Sequence, residues 1–328
     1  MTTSSPRRVR ITAGVAAAAA TLLMGSQAVA AQERVAEVPV VDRHTIATPL
    51  SAAASQSWSA ERMEAAVPRD LPETGGQVTT EVAVGDPLVI LGETAEPEVR
   101  AELLEEAALD AGIASETPVS HIGKVFFTIA GVDYVCSANS VVSDNDATVA
   151  TAGHCLNDGA GTFASDFIFV PAYDNGQAPY GQWPAVDLIT ASAWSQQEDI
   201  NYDIGFAVVS SSDGASLTEA VGASGVAFNQ PRGQSYTAYG YPAGFPFDGE
   251  TLETCAGVAQ NDTFGGTQSI GIPCDMTGGS SGGPWLLGSG PTGVQNSVNS
   301  FGYHALPDVM FGPYWGEVAE AVYAAAQE

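Results

Sequence analysis

Three short stretches carry side chains that could act together on an acyl bond. They are VATAGHC, ending in His154 and Cys155; NYDIGFAVV, with Asp203 near its head; and GGSSGGPW, with Ser280 and Ser281. A serine hydroxyl becomes a useful nucleophile when an imidazole takes its proton and a carboxylate holds that imidazole in the right tautomer. Donors must also point at the developing oxyanion, and glycines beside a serine let the backbone turn sharply enough to supply them. Singly, each stretch has a duller reading: a satisfied core histidine, a turn aspartate, a linker. Together, in the order His, Asp, Ser within one region, they describe nucleophilic catalysis by serine. An esterase on an α/β fold would instead show G-x-S-x-G and the order Ser, Asp, His.

Such residues need a scaffold that brings distant loops together. From Pro118 onward the chain reads as short strands and turns. KVFFTIAGVDYVCSANSVV, ATVATAG, FIFVPAY, DIGFAVVS, SYTAYGYP and GPWLLG are β-branched or aromatic runs bounded by Gly, Pro, Asn and Asp. Helical periodicity is nearly absent there until YWGEVAEAVYAAAQ, where Val318 and Val322 lie four residues apart after Gly316. Many short strands and one terminal helix specify an all-β barrel or sandwich.

The N-terminal part differs. Arg7, Arg8 and Arg10 precede an apolar run too short to span a bilayer, and AVA at Ala28 to Ala30 fits a signal-peptidase site. Residues 1–30 are therefore expected to direct export; the Arg7–Arg8 pair permits the twin-arginine route, although the residues after it fit that route poorly. The mature protein is expected to be secreted, without a membrane segment. Residues 31–117 hold most of the remaining arginines and no cysteine. RDLPETGGQ reads as a loop, TTEVAVGDPLVIL as a strand with its turn, and PEVRAELLEEAALDAGI as a helix stopped at Gly112. This composition fits a pro-segment, with an independent binding domain as the alternative.

Export makes the cysteines readable. Cys136, Cys155, Cys255 and Cys274 form an even set in an oxidising compartment, which implies two disulfides among three possible pairings. The cysteines fall into two close pairs, so nearest-neighbour pairing is the simplest. Zinc is the rival, but no two cysteines stand at the few-residue spacing of a zinc site, and neither metal nor cofactor is expected. The chain carries a net charge of −28, and from Glu116 onward only Lys124 and Arg232 are basic. Such a surface disfavours nucleic acid and anionic membranes and attracts cationic partners.

TAGHC, a D-I-x-x-A strand and GxSGGP, in that order, resemble the trypsin-like, chymotrypsin-fold serine peptidases. Asn175–Gly176 and GYP at Gly240 to Pro242 are most similar to the secreted bacterial branch that includes the glutamyl endopeptidases. The resemblance runs from about Pro118 to the C-terminal helix. It implies two six-stranded antiparallel barrels with a cleft between them, in one peptidase domain over residues 118–328. It further implies His154 as general base, Asp203 as its orienter and Ser281 as nucleophile, with the N–H groups of Gly279 and Ser281 as the oxyanion hole. NSFGY resembles the strand that pairs with a substrate backbone, placing Ser300 behind the triad and Phe301–Gly302 along the cleft. Asp275, six residues before Ser281, would floor a pocket for Arg or Lys. A glutamate preference ranks lower, because Asn299 and Ser300 stand where glutamate-specific relatives carry histidine, and small apolar side chains are also open. Two departures matter. Ser280 replaces the aspartate that animal-type enzymes pair with a new N-terminus, and no Ile-Val-Gly-Gly start occurs, so activation is expected through loss of an inhibitory pro-segment. Cys274 also stands at a spacing foreign to those enzymes. The expectation is a monomeric endopeptidase acting on proteins or peptides; the alternative is an inactive relative that uses the cleft for binding.

Overall fold

The computed structural model describes residues 40–70, 81–92, 118–211, 214–288 and 290–328. The export signal and the helix expected over residues 97–113 lie outside them.

The first described elements are β1 (Val41–Thr45), α1 (Thr48–Ser57), α2 (Ala60–Ala65), β2 (Val67–Pro68) and β3 (Leu88–Ile90). Within the strand expected across residues 79–91, the described residues form only β3. Next come β4 (Ile122–Ile129), β5 (Val132–Ser140), β6 (Thr148–Thr151), β7 (Ser165–Pro171), β8 (Trp183–Ala191) and β9 (Gly205–Val209), with the short α3 (Ser192–Gln197) before β9. Their ladder runs β8-β7-β4-β5-β6-β9 and closes through β8–β9 pairing, giving the expected six-stranded barrel. β4 is almost continuously apolar because both its faces are covered. Val125 and Phe127 enter the barrel core, while Phe126 packs outward beneath Trp58 from the segment before β2. Burying a side chain of that size contributes roughly 1.5–3 kcal/mol.

The second half comprises α4 (Leu217–Val221), β10 (Gly225–Phe228), β11 (Ser235–Gly240), β12 (Glu253–Val258), β13 (Gln260–Asn261), β14 (Ile270–Pro273), β15 (Pro284–Leu287), β16 (Val294–Val298), β17 (Phe301–Tyr303) and β18 (Leu306–Gly312). Here the expected ring is interrupted. One sheet runs β12-β11-β15-β16-β10-β3 and another β13-β14-β18-β17. They abut at β12 and β14, where a Cβ on Gly257 would lie 2.7 Å from Pro273 Cδ. Proline has no N–H to give the ladder, so the seam stays unpaired. The Cys255–Cys274 disulfide spans it instead. The final helix, α5 (Glu317–Ala326), buries Ala319, Val322, Tyr323 and Ala326, and sets Tyr323 against Phe206 and Phe228. Its buried face thus lies one step around from Val318.

Residues before Pro118 are woven into both halves. β1 pairs with β8, β2 runs parallel to β5, and β3 pairs with β10. Arg62 on α2 reaches both oxygens of Asp133 at 2.8 Å, and its guanidinium lies 3.9 Å from the Trp58 ring centre. That pairing holds the Asp133 carboxyl below its ordinary range.

Candidate active site

β6 delivers the chain into a 3₁₀ turn, Gly153–Cys155, which leaves His154 fully buried at the barrel edge. Only glycine fits before it, since a Cβ at Gly153 would stand 2.8 Å from the Trp194 ring. Cys155 is bonded to Cys136 on β5, fastening the turn to the strand. Asp203 follows a second 3₁₀ turn, Ile200–Tyr202, and is also fully buried. Its Oδ1 accepts the His154 backbone N–H at 2.7 Å, and its Oδ2 meets His154 Nδ1 at 2.8 Å. Ser300 donates its hydroxyl to the same Oδ2 at 2.5 Å. Three donors therefore converge on two carboxylate oxygens, and the ring is held by one edge.

The serine turn is restrained on every side. Ser137, next to Cys136, donates its N–H to Ser281 O at 2.7 Å and its hydroxyl to Gly279 O at 2.9 Å. Ala243 donates its N–H to Gly278 O at 2.6 Å. Because a trans peptide is planar, that bond turns the N–H of Gly279 away from the Ala243 side. Gly279 has φ +93°, and a Cβ there would lie 2.8 Å from Tyr241 O. Both serines border one cleft, but they differ in what holds them. Ser280 is buried and donates its hydroxyl inward to Thr277 O at 2.8 Å. Ser281 lies on a cleft of roughly 420 Å³ whose walls include Ser300, Phe301, Gly302 and Met310.

Asp275 also borders this cleft, but it is exposed, with its carboxylate 3.9 Å from Cys255 Sγ. The next residue, Met276, is the one turned inward, its sulfur 3.8 Å from Asn299 Nδ2. Phe301 stacks on Phe311, and Gly302 is exposed along the rim.

Sequence reasoning did not single out Arg69 and Asp70. After β2, Arg69 donates its N–H to Val135 O at 3.1 Å, and its guanidinium lies 4.8 Å from the Tyr134 ring centre. Its carbonyl oxygen is 3.2 Å from His154 Nε2. Asp70 then enters the cleft, so close over Gly278 that a Cβ there would meet its Oδ1 at 1.9 Å. A ring nitrogen bonded to a carbonyl is not open to a serine proton. The loop-forming run RDLPETGGQ was the available signal, but nothing in it indicates where the loop lands.

Among the described residues one grouping has metal-ligand character, Cys136, His154 and Cys155. Both sulfurs are tied up in the disulfide, which removes them as thiolate ligands.

A family model described as the trypsin-like peptidase domain matches residues 136–290. The solved protease Anisep from Arthrobacter nicotinovorans is 54% identical, covering 65% of this chain and 98% of that one, with a TM-score of 0.64. The thermostable serine protease AL20, from an extremophilic microorganism, is likewise 54% identical over 63% of this chain and 97% of its own, with a TM-score of 0.62. A Glu endopeptidase at 17% identity shares the fold, covering 75% of this chain and all of that one, with a TM-score of 0.50. Among curated proteins, an extracellular metalloprotease of Bacillus subtilis is 31% identical over 70 residues, 21% of this chain and 22% of that protein. This chain thus spans about a fifth of that relative's length.

Proposed function

The chain belongs to the trypsin-like serine peptidases, and from that premise we propose that it is an exported endopeptidase, carried by residues 118–328 and masked by residues 31–117. The observation that carries the reading is the convergence of His154 Nδ1 and the Ser300 hydroxyl on Oδ2 of buried Asp203, which holds the imidazole by the edge opposite Nε2. Once the Arg69 carbonyl has left, with Nδ1–H held by the carboxylate, Nε2 is the lone-pair nitrogen and takes the Ser281 proton as Oγ attacks the peptide carbonyl. The N–H groups of Gly279 and Ser281 receive the oxyanion. The C–N bond then breaks, the proton passes from Nε2 to the leaving amine, and water hydrolyses the acyl ester by the same relay. No part of this scheme requires a metal or cofactor.

The path of residues 67–70 supports masking. A substrate would lay the residues before its scissile bond along Phe301–Gly302 and its leaving portion toward β5. Residues 67–70 run the other way, along β5 first and into the cleft with Asp70. Their polarity presents no carbonyl with its leaving amine in the productive direction, so the segment blocks without being cut. Arg69 supports this, since its side chain lies over Tyr134 rather than beside Asp275. Asp275 and Asp308 both border the cleft, which favours a cationic residue before the scissile bond.

One experiment tests the whole reading. The full-length chain and its secreted, processed form are treated with a fluorophosphonate, and the processed form is assayed on fluorogenic peptides ending in Arg, Glu or Ala. The processed form should be labelled once, at Ser281, and should cut after Arg fastest; the full chain should label slowly, with the 69–70 bond intact. Absence of labelling would defeat the enzyme reading, cleavage between Arg69 and Asp70 the masking reading, and faster cleavage after Glu the role of Asp275.

A further inference from the structure

Lys124 interrupts the apolar strand IGKVFFTI, and only 3% of it is exposed. Removing an ammonium from water costs several kcal/mol unless partners surround it. Here Nζ donates to Gly249 O at 2.9 Å, stands 3.6 Å from the Glu250 carboxylate, and lies 4.1 Å and 5.1 Å from the ring centres of Tyr173 and Phe126. Glu250 also accepts the Tyr173 hydroxyl at 2.8 Å, and its carbonyl takes the Asn175 N–H at 3.0 Å.

Gly249 and Glu250 close a loop that opens at Tyr241, and the front of this loop is fastened to the serine turn. Besides the bond from Ala243 to Gly278 O, the N–H and the carbonyl of Gly244 both meet Thr277 Oγ1 at 2.9 Å. The loop's two ends touch. Gly249 has φ +81°, and a Cβ there would lie 2.8 Å from the Ala243 Cβ. A short run of contacts thus leads from Lys124 through Gly249 and Ala243 to the peptide that presents the Gly279 N–H.

We propose that Lys124 is a positioning residue for the oxyanion-binding turn, its ammonium holding Gly249 so that Ala243 stays against the Gly278–Gly279 peptide. The proposal rests on the acyl-transfer reading above. Glu250 and Asp248 on the loop attract the ammonium, while Tyr173, Tyr241 and Glu64 on α2 complete the titratable surroundings. Burial raises both phenols far above neutrality. It also lowers the lysine, to about 8, against the pull of Glu250. The ammonium therefore gives way to the neutral amine above about pH 8, which keeps an N–H for Gly249 O but loses the attraction of Glu250 and Asp248, so the anchor weakens.

The test uses the secreted, processed enzyme, comparing wild type, Lys124→Met and Gly249→Ala by kcat and KM from pH 6 to 10. Outright loss of an oxyanion donor costs roughly 10²–10³ in kcat. A misplaced donor should cost less, about tenfold to a hundredfold, with KM within about twofold. Wild type should lose kcat across the alkaline limb, and Lys124→Met should not show that limb. Gly249→Ala keeps the lysine but pushes on Ala243, and should show a similar kcat loss. Unchanged kcat in Lys124→Met, a loss confined to KM, or a persisting limb overturns the proposal. If Lys124→Met does not fold, a folded Gly249→Ala enzyme with wild-type kcat overturns it. A wild type that fluorophosphonate does not label would sink the catalytic reading and this one together.

Discussion

Asp203→Asn should leave a folded protein with almost no activity, and the hydrogen bonds around Asp203 say why. An amide keeps one acceptor oxygen and gains one donor. Placed at the Oδ1 position, the NH₂ would face the His154 backbone N–H, a donor that cannot change its nature. Placed at Oδ2, it faces Nδ1, which can shed its proton, while the Ser300 hydroxyl can rotate to accept. The second arrangement therefore wins. It leaves the ring proton on Nε2, the nitrogen that must be bare to receive the serine proton. The wrong tautomer costs about 10⁴ in kcat, or about 5 kcal/mol of transition-state stabilisation. The assay is peptide hydrolysis by the processed enzyme, beside a thermal melt to confirm folding. Asp199→Asn serves as the neighbour control, since Asp199 caps a 3₁₀ turn by accepting the Asn201 N–H. An Asp203→Asn enzyme retaining more than about a tenth of wild-type kcat would refute the argument. So would a dead Asp199→Asn enzyme beside an active Asp203→Asn.

Two further outcomes follow from the same region. Ser281→Ala should abolish turnover, by around a million-fold, whereas Ser280→Ala loses only the inward bond to Thr277 O, about 1 kcal/mol of stability, and should keep most activity; the reverse result in a peptide assay would shift the nucleophile by one residue. Replacing Cys136 and Cys155 by serine opens a loop with a sequence separation of 19. Chain entropy sets the stability loss at about 3 kcal/mol. Activity should fall with it, because the bridge joins the His154 turn to the strand carrying Ser137; a denaturant melt showing no loss would contradict this.

What was legible in the sequence was local. TAGHC stands out because the packing of Trp194 over Gly153 admits no side chain, and the glycines around Ser281 stand out because the turn needs positive φ and close approach. Strands were legible where apolar runs were unbroken. β8 escaped notice because WPAVDLITA carries a proline and an aspartate, tolerated where its pairing with β9 shifts register between Ala185 and Asp187. β12 is polar and glycine-interrupted, held by its ladder to β11 alone and by a disulfide across the seam. The seam needed two residues far apart in sequence, Gly257 and Pro273, to meet. The contact between Arg69 and His154 spans 85 positions, and no local pattern announces it. Lys124 was visible only as one of two basic residues beyond Glu116; its ring-walled site is assembled from three separate stretches.

The three strands that precede Pro118 also bear on how concentration governs this molecule. While the chain is continuous, β1, β2 and β3 face their partner edges at a fixed effective concentration, and the proposed masking would be the same at any dilution. Once the chain between β3 and β4 is cut, the same contacts become a two-body equilibrium, and mass action applies. At high concentration the pieces would stay together; on dilution they would part. On the masking proposed above, the cut would license activity and dilution would release it.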